Sequence, residues 1–264
     1  MGLLGCQNCI NGWVIYQRPS NKVKVNDRAI YCEDPDGIMV DFAAPCPYCN
    51  GGDAYVEDLK RRAELPATYY DVDMDSFDWT VYGVDVSRQK TLAEKWIIDH
   101  DLFRAEGMGL YIWSRTKGSG KTYLASAICN SMMKTRHKKT RFINVSKLID
   151  LSKEPDSLQQ LIDAEVLALD DLGQKSTGLD WIGDILYEIL EERGNRKRLT
   201  IMTSNISPQE LNADDRVADR VNQQMIALKL PEIRVRSIKA QDAKRQLLMK
   251  AGVIKPDQMQ LNVK

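Results

Sequence analysis

Nine residues, SRTKGSGKT at 114–122, constrain what this chain can fold into more than any other stretch. They follow the pattern G-x-x-x-x-G-K-[ST] except at its first position, where Arg115 stands in place of a glycine. Gly118 and Gly120 flank Ser119, so two positions lack the Cβ that would keep a backbone away from a phosphate. Lys121 supplies a point charge for terminal phosphates, and Thr122 a hydroxyl for Mg²⁺. Ahead of the loop, GLYIWS (109–114) is short, apolar and β-prone; behind it, TYLASAICNSMMKT (122–135) has helical spacing. Strand, glycine loop and helix in that order face a helix N-terminus toward an anion. The alternative, a glycine turn before an amphipathic helix, is disfavoured by that context. Arg115 must find an allowed backbone conformation at the start of the loop, and it adds a charge near the phosphates. The expected nucleotide-binding residues are Arg115, Thr116, Lys117, Gly118, Ser119, Gly120, Lys121, Thr122 and Tyr123.

Strands and helices alternate after the loop. TRFINVS (140–146) reads as a strand, KLIDLSK with SLQQLID (147–163) as helical, and EVLALDDLG (165–173) as a strand with a polar tip. LDWIGDILYEILEERGN (179–195) reads as a long amphipathic helix and RLTIMTSN (198–205) as another strand. This is the pattern of an α/β domain with a parallel sheet. In VLALDD, apolar residues run into two carboxylates, which places charge at the carboxyl edge of the sheet, where ligands bind in such folds. Asp170 is expected to hold Mg²⁺ with Thr122, and Asp171 to orient or deprotonate an attacking water. Asn205, ending the next strand, offers an amide to the γ-phosphate or to that water.

Upstream, SRQKTLAEKWIIDHDLFRAEG (87–107) reads as one helix leading into the loop strand, and DAYVEDLKRRAEL (53–65) as a linker helix running into Pro66. The aromatic, acidic stretch 66–79 suits a packed extension of the domain, a wall for an adenine ring, or both. His100 and His137, the only histidines, read as surface residues. The basic run KTRHKKTR (134–141) suits either a solvated helix end or a track for a phosphate backbone.

The first fifty residues have a different character. Cys6-x-x-Cys9 and Cys46-x-x-Cys49 are each followed closely by glycine, the tight turn that aims backbone N–H groups at thiolate sulfurs. Four thiolates suit tetrahedral Zn²⁺, and the metal supplies folding energy that fifty residues lack. Between the pairs, GWVIYQR and KVKVNDRAIYCED read as strands of a ribbon. A redox C-x-x-C needs a βαβ setting that is absent here. Cys32 reads as a core thiol in preference to a fifth ligand. The expected division is a zinc-binding domain over 1–52, a helical linker over 53–66 and an ATPase domain over 67–264.

The net charge is zero with 28% charged residues, so nucleic acid must be met by a local patch and not by a global field. No apolar run approaches the roughly 20 residues that span a bilayer. The N-terminal residues do not read as a signal peptide, and Cys6 stands where a myristoylation signal wants Ser or Thr. A cytoplasmic protein without membrane contact is expected.

With these pieces placed, residues 66 to about 245 resemble the DnaC/DnaI-type AAA+ helicase loaders, with the IstB-like transposition ATPases as cousins. The resemblance is carried by GSGKTYLASAI, VLALDDLG with STGLDWIGDILYEIL behind it, TIMTSN, and DDRVADRV. It implies a P-loop AAA+ fold, ATP/ADP and Mg²⁺ as cofactors, and self-association through the ATPase domain. DDRVADRV resembles the helix whose arginine reaches the neighbouring subunit's nucleotide, which makes Arg220 the trans arginine, or Arg216 one turn earlier. EIRVRSIKAQDAKR resembles the segment with the sensor-2 arginine, placed at Arg236 or, second, at Arg234. A zinc module ahead of the ATPase is similar to the DnaI-type arrangement, where it contacts a hexameric, DnaB-type replicative helicase. The stretch between the strand at 146 and Asp170 is short for an initiator-type insertion. The compact form suits a phage-encoded loader.

The resemblance therefore implies an ATP-dependent helicase loader in DNA replication that binds the helicase through the zinc module, and ATP and single-stranded DNA through the AAA+ domain. A transposition-helper ATPase and an adaptor that holds ATP without hydrolysing it are the alternatives.

Overall fold

Five strands of five to seven residues build the main sheet. The computed structural model describes residues 13–19, 30–31, 39–45, 52–151, 153–173, 179–211 and 215–253. The N-terminal strands form a small antiparallel sheet: β1 (Trp13–Pro19) and β2 (Ile30–Tyr31) both pair with β3 (Met39–Pro45). The sequence did not suggest β3, although it forms the middle strand. Trp13 stands opposite Pro45, so the chain enters β1 and leaves β3 at the same end. Cys6, Cys9, Cys46, Cys49 and Cys32 lie outside the described residues.

The main sheet runs in the order β5-β6-β7-β4-β8, with β4 (Gly109–Trp113), β5 (Thr140–Asn144), β6 (Val166–Leu172), β7 (Leu199–Ser204) and β8 (Met225–Lys229) all parallel. Strands buried on both faces need no alternation: β4 is almost continuously apolar and buried, and β7 is buried throughout, its Thr200, Thr203 and Ser204 included. The first strand of the series, β4, sits between β7 and β8, so the chain reverses its direction across the sheet there. Ligand crevices in open α/β sheets lie at that switch point, outside the carboxyl ends of the strands.

One face of the sheet is covered by α1 (Gly52–Ala63), α2 (Ser87–Ile98) and α4 (Lys121–Arg136), with Trp96, Leu124, Ile128 and Met132 at the centre of that core. The other is covered by α6 (Pro155–Asp163), α7 (Leu179–Asn195) and α8 (Asp215–Gln224), around Leu167, Leu186, Ile189 and Met202. The helix anticipated as a linker is part of the first layer. Tyr55, Leu59 and Ala63 of α1 are buried against α4 and β5. Phe77 and Trp79, from the aromatic stretch that follows, and Tyr82 just beyond it are buried in the same core.

Three other expectations change. The single helix over 87–107 is two, α2 and α3 (His100–Ala105), because the chain turns at Asp99. The helical run over 147–163 divides into a 3₁₀ turn, α5 (Leu148–Leu151) and α6. Its preceding strand stops at Asn144, whose side chain accepts the Ser146 N–H and starts the turn.

The histidines are not plain surface groups either. His100 is 8% exposed, and burial lowers its pKa against the pull of Asp101. His137 ends α4 in the left-handed conformation and stacks on Tyr55 at 6.0 Å. The neighbouring basic run is largely engaged with the protein itself. Lys134 pairs with Asp73, Lys138 with Glu165 and Arg141 with Glu64, while Arg136 donates to the carbonyls of Ile97 and Ile98 at the end of α2.

Candidate nucleotide-binding site

The loop between β4 and α4 folds as a phosphate loop must, and its two glycines show why. Gly118 (φ 77°) and Gly120 (φ 100°) both occupy the left-handed region that side chains disfavour. A Cβ at Gly118 would stand 3.1 Å from Cβ of Arg236, and one at Gly120 would stand 3.1 Å from the Tyr82 hydroxyl. Arg115, in contrast, is not among the left-handed residues, so the missing first glycine imposes no backbone strain. Its guanidinium reaches across to the Glu210 carboxylate.

Lys121 begins α4 and is 8% exposed. Its ammonium donates to Ser114 O at 3.2 Å, Thr116 O at 3.1 Å and Ser119 Oγ at 3.4 Å, so the loop wraps around its own cation. Burial lowers the Lys121 pKa, while Asp171, Glu232 and Asp170 act to raise it. Tyr82 fixes the other side of the loop by donating to Ser119 O at 2.8 Å from a buried position.

Strict alternation along a strand would send Asp170 and Asp171 to opposite faces of the sheet. Both line the same cavity. The reason is an irregularity in the pairing of β6 with β7 between Leu169 and Leu172, with Asp171 at φ 62°. Bulges of this kind re-aim side chains and recur beside active sites, and Asp tolerates the left-handed region better than most residues. Thr203 of β7 holds both acids. Its hydroxyl donates to Asp170 Oδ1 at 2.7 Å and accepts the Asp171 N–H at 2.9 Å. Thr122 Oγ1 reaches Asp170 Oδ2 at 3.3 Å, and Asn205 Nδ2 donates to Asp171 Oδ1 at 3.3 Å. Burial raises the Asp170 pKa, the bonds from Thr203 and Thr122 oppose it, and the nearby Asp171 charge adds to it.

The cavity at this edge has a volume of about 1280 Å³. Of the residues expected from the sequence, Arg115, Lys117, Gly118, Lys121, Thr122, Asp170, Asp171, Asn205 and Arg236 all line it. A second cleft of about 280 Å³ continues from the loop, walled by Tyr69, Phe77, Val81, Tyr82 and Tyr123. Gly120 and Tyr123 open onto this second cleft, whereas Ser119 is buried and Thr116 contributes its carbonyl to Lys121. A charged, polar chamber thus joins an aromatic slot, and the aromatic stretch packs on the domain while Tyr69 and Phe77 wall that slot.

The other expected residues lie elsewhere. Arg220 pairs with Glu191 at 2.5 Å and donates to Gln223, and Arg216 pairs with Asp184. Both guanidinium groups stand over the Tyr187 ring, and neither lines the cavity. Arg234 is exposed at the start of α9 (Val235–Lys250) and also stays outside. Sequence reasoning missed Thr203, Tyr82 and Glu232. Thr203 precedes the expected Asn205 by two positions, so its place on the same strand face was the available signal. Tyr82 and Glu232 carried none, because each acts through a tertiary contact.

Thr122 and Asp170 bring a hydroxyl and a carboxylate together, the hard oxygen donors that Mg²⁺ takes beside phosphates. Among the described residues there is no cluster of three or more His, Cys, Asp or Glu that would hold a metal by itself. Among them, too, no helix is long and apolar enough to cross a membrane.

No protein-family model matches the chain. Over 122 residues, 42% of this chain and 49% of the relative, it is 30% identical to the replicative helicase loader DnaC of Escherichia coli strain K12. Over 171 residues, 59% of this chain and 53% of the relative, it is 28% identical to the replicative helicase loader DnaI of Bacillus subtilis strain 168. The chain thus spans about half the length of the curated relatives it matches. Among solved structures, that of the DnaC helicase loader superposes with a TM-score of 0.53 at 22% identity, covering 63% of this chain and all of that one, which is a likeness of fold.

Proposed function

We propose that this DnaC/DnaI-type chain is an ATP-dependent loader of a hexameric replicative helicase. The observation that carries the reading is the convergence of Lys121, Thr122, Asp170, Asp171 and Asn205 on one cavity at the switch point of the sheet. A bound magnesium nucleotide would supply the phosphoryl group to be transferred to water, with Thr122 and Asp170 as the residues to hold its cation. Lys121 places a positive charge inside the loop, where it offsets phosphate charge. Asp171, oriented by Asn205, is the carboxylate exposed to solvent at the cavity and therefore the one to take a proton from water. Arg236 adds a guanidinium from the same chain. Arg220, turned away from its own cavity, suits a role in a neighbouring subunit's site.

The remaining parts of the reading rest on the resemblance. Cys6, Cys9, Cys46 and Cys49 would hold zinc, and the shared end of β1 and β3 is compatible with bringing the two cysteine pairs together. That module would contact the helicase, and the ATPase region would contact single-stranded DNA. The run 134–141 lends little support to DNA contact, since most of its charges are already paired.

Titration of MgATP into purified protein tests the site. Lys121→Ala is expected to weaken binding at least tenfold, whereas Asp171→Asn keeps binding and loses turnover, because only the aspartate acts on the water. Wild-type ATP affinity in both variants would remove the phosphate-loop assignment.

A further inference from the structure

The segment joining β8 to α9 grips the phosphate loop at several points. Leu230 N donates to Trp113 O at 2.8 Å, ahead of the loop, and Arg236 N donates to Gly118 O at 3.0 Å, in its middle. Between these anchors stands Glu232. Its carboxylate accepts the N–H of Arg115 at 3.2 Å, the N–H of Thr116 at 2.8 Å, and the hydroxyls of Thr116 at 2.9 Å and Ser114 at 3.2 Å. Partial burial acts to raise its pKa, but these donors outweigh it and hold the carboxyl below its ordinary range.

Two features give this contact a function. Arg115 occupies the place where the loop pattern has a glycine, and the first two amides of the loop need acceptors to fix the turn. Glu232 supplies them from outside the loop. Moreover, the carbonyls that hold Lys121 belong to Ser114 and Thr116, two of the three residues that Glu232 binds. Glu232 does not line the cavity, so it acts on the loop and not on a ligand.

We propose that Glu232 is a positioning residue for the phosphate loop, fixing its start in place of the missing glycine and tying it to the base of α9, so that Lys121 and Arg236 meet the nucleotide as one unit. This rests on the reading of the cavity as a nucleotide site. Loss of the carboxylate frees the amide of Arg115, leaves that of Thr116 only the Ser114 hydroxyl at 3.3 Å, loosens the carbonyls around Lys121, and uncouples the loop from Arg236.

Two measurements on the full chain test it: amide hydrogen exchange across 114–118 without nucleotide, and affinity for a fluorescent ATP analogue with Mg²⁺. In Glu232→Ala, exchange at Arg115 and Thr116 should rise and analogue affinity should fall, each about tenfold, as expected for losing hydrogen bonds to a charged acceptor. Glu232→Gln keeps an acceptor and should recover part of both. A merely structural role would lower the melting temperature without raising exchange selectively at these two amides. Unchanged exchange at Arg115 and Thr116 in Glu232→Ala would overturn the proposal. Should Glu232→Ala not fold, unchanged exchange at the same amides in Glu232→Gln would overturn it equally. If Lys121→Ala loses the analogue while Glu232→Ala binds it as wild type does, this proposal falls and the nucleotide reading stands. If wild type and Lys121→Ala bind it alike, both fall.

Discussion

Arg220→Ala is expected to bind ATP nearly as wild type does and to lose turnover by about 10³–10⁵-fold, the range measured where an arginine from a partner completes a site. A guanidinium at the γ-phosphate stabilises charge that develops only in the transition state, so its loss spares ground-state binding. Arg220 is suited to act in trans because it does not line its own cavity, where Arg236 already stands. Mixing Arg220→Ala with Asp171→Asn should restore part of the activity, since one mixed interface joins an intact arginine to an intact aspartate. An arginine acting within its own chain gives no such complementation. If DDRVADRV is only a solvated helix face, Arg220→Ala keeps wild-type turnover at every protein concentration, and the assignment fails. The bond of Arg220 to Gln223 is exposed to solvent, but its pair with Glu191 is partly buried, so the melting temperature of Arg220→Ala is compared with wild type before its turnover is read.

Arg193→Met should destabilise the parallel-sheet region by about 3–5 kcal/mol, because removing the buried donor strands the carbonyls and hydroxyl it satisfies. Arg193 is fully buried near the end of α7. It donates to the carbonyls of Leu161, Ile162 and Ala164 at the end of α6, to Leu199 O at the start of β7, and to Thr200 Oγ1. One guanidinium therefore satisfies acceptors from two neighbouring elements at once. Burial and the nearby Arg198 push its pKa down to about 9, which leaves it charged at neutral pH. Arg193→Lys should recover little, since a point ammonium with three donors cannot reproduce a planar fork of five. Urea unfolding followed by circular dichroism measures this, and a loss below about 1 kcal/mol for Arg193→Met would show that water replaces the bonds. Because β7 also carries Thr203 and leads into Asn205, such loosening would reach the cavity that Asp170 and Asp171 line.

Much of this was legible in the sequence for a physical reason. Periodicity and loop chemistry are local, so the strand, loop and helix around 109–136 and the α7 helix at 179–195 could be read directly. The same holds for the acidic end of β6. What the sequence hid was set by contacts between distant segments. The bulge that turns Asp170 and Asp171 toward one cavity depends on how β6 pairs with β7. Thr203 looks like any polar residue ending a strand until it meets both carboxylates. Glu232 lies more than a hundred residues from the amides it binds, within a segment read only for its arginines. The break between α2 and α3 at Asp99 went unseen because the apolar spacing continues across it.

The most direct test of the loader function is co-purification of this protein with a hexameric, DnaB-type replicative helicase, with and without MgATP. The account predicts a stable complex formed by the wild type, retained in Asp171→Asn with ATP, and nucleotide-insensitive in Lys121→Ala. Failure of the wild-type protein to bind the helicase under either condition, with ATP bound normally at the phosphate loop, would contradict it.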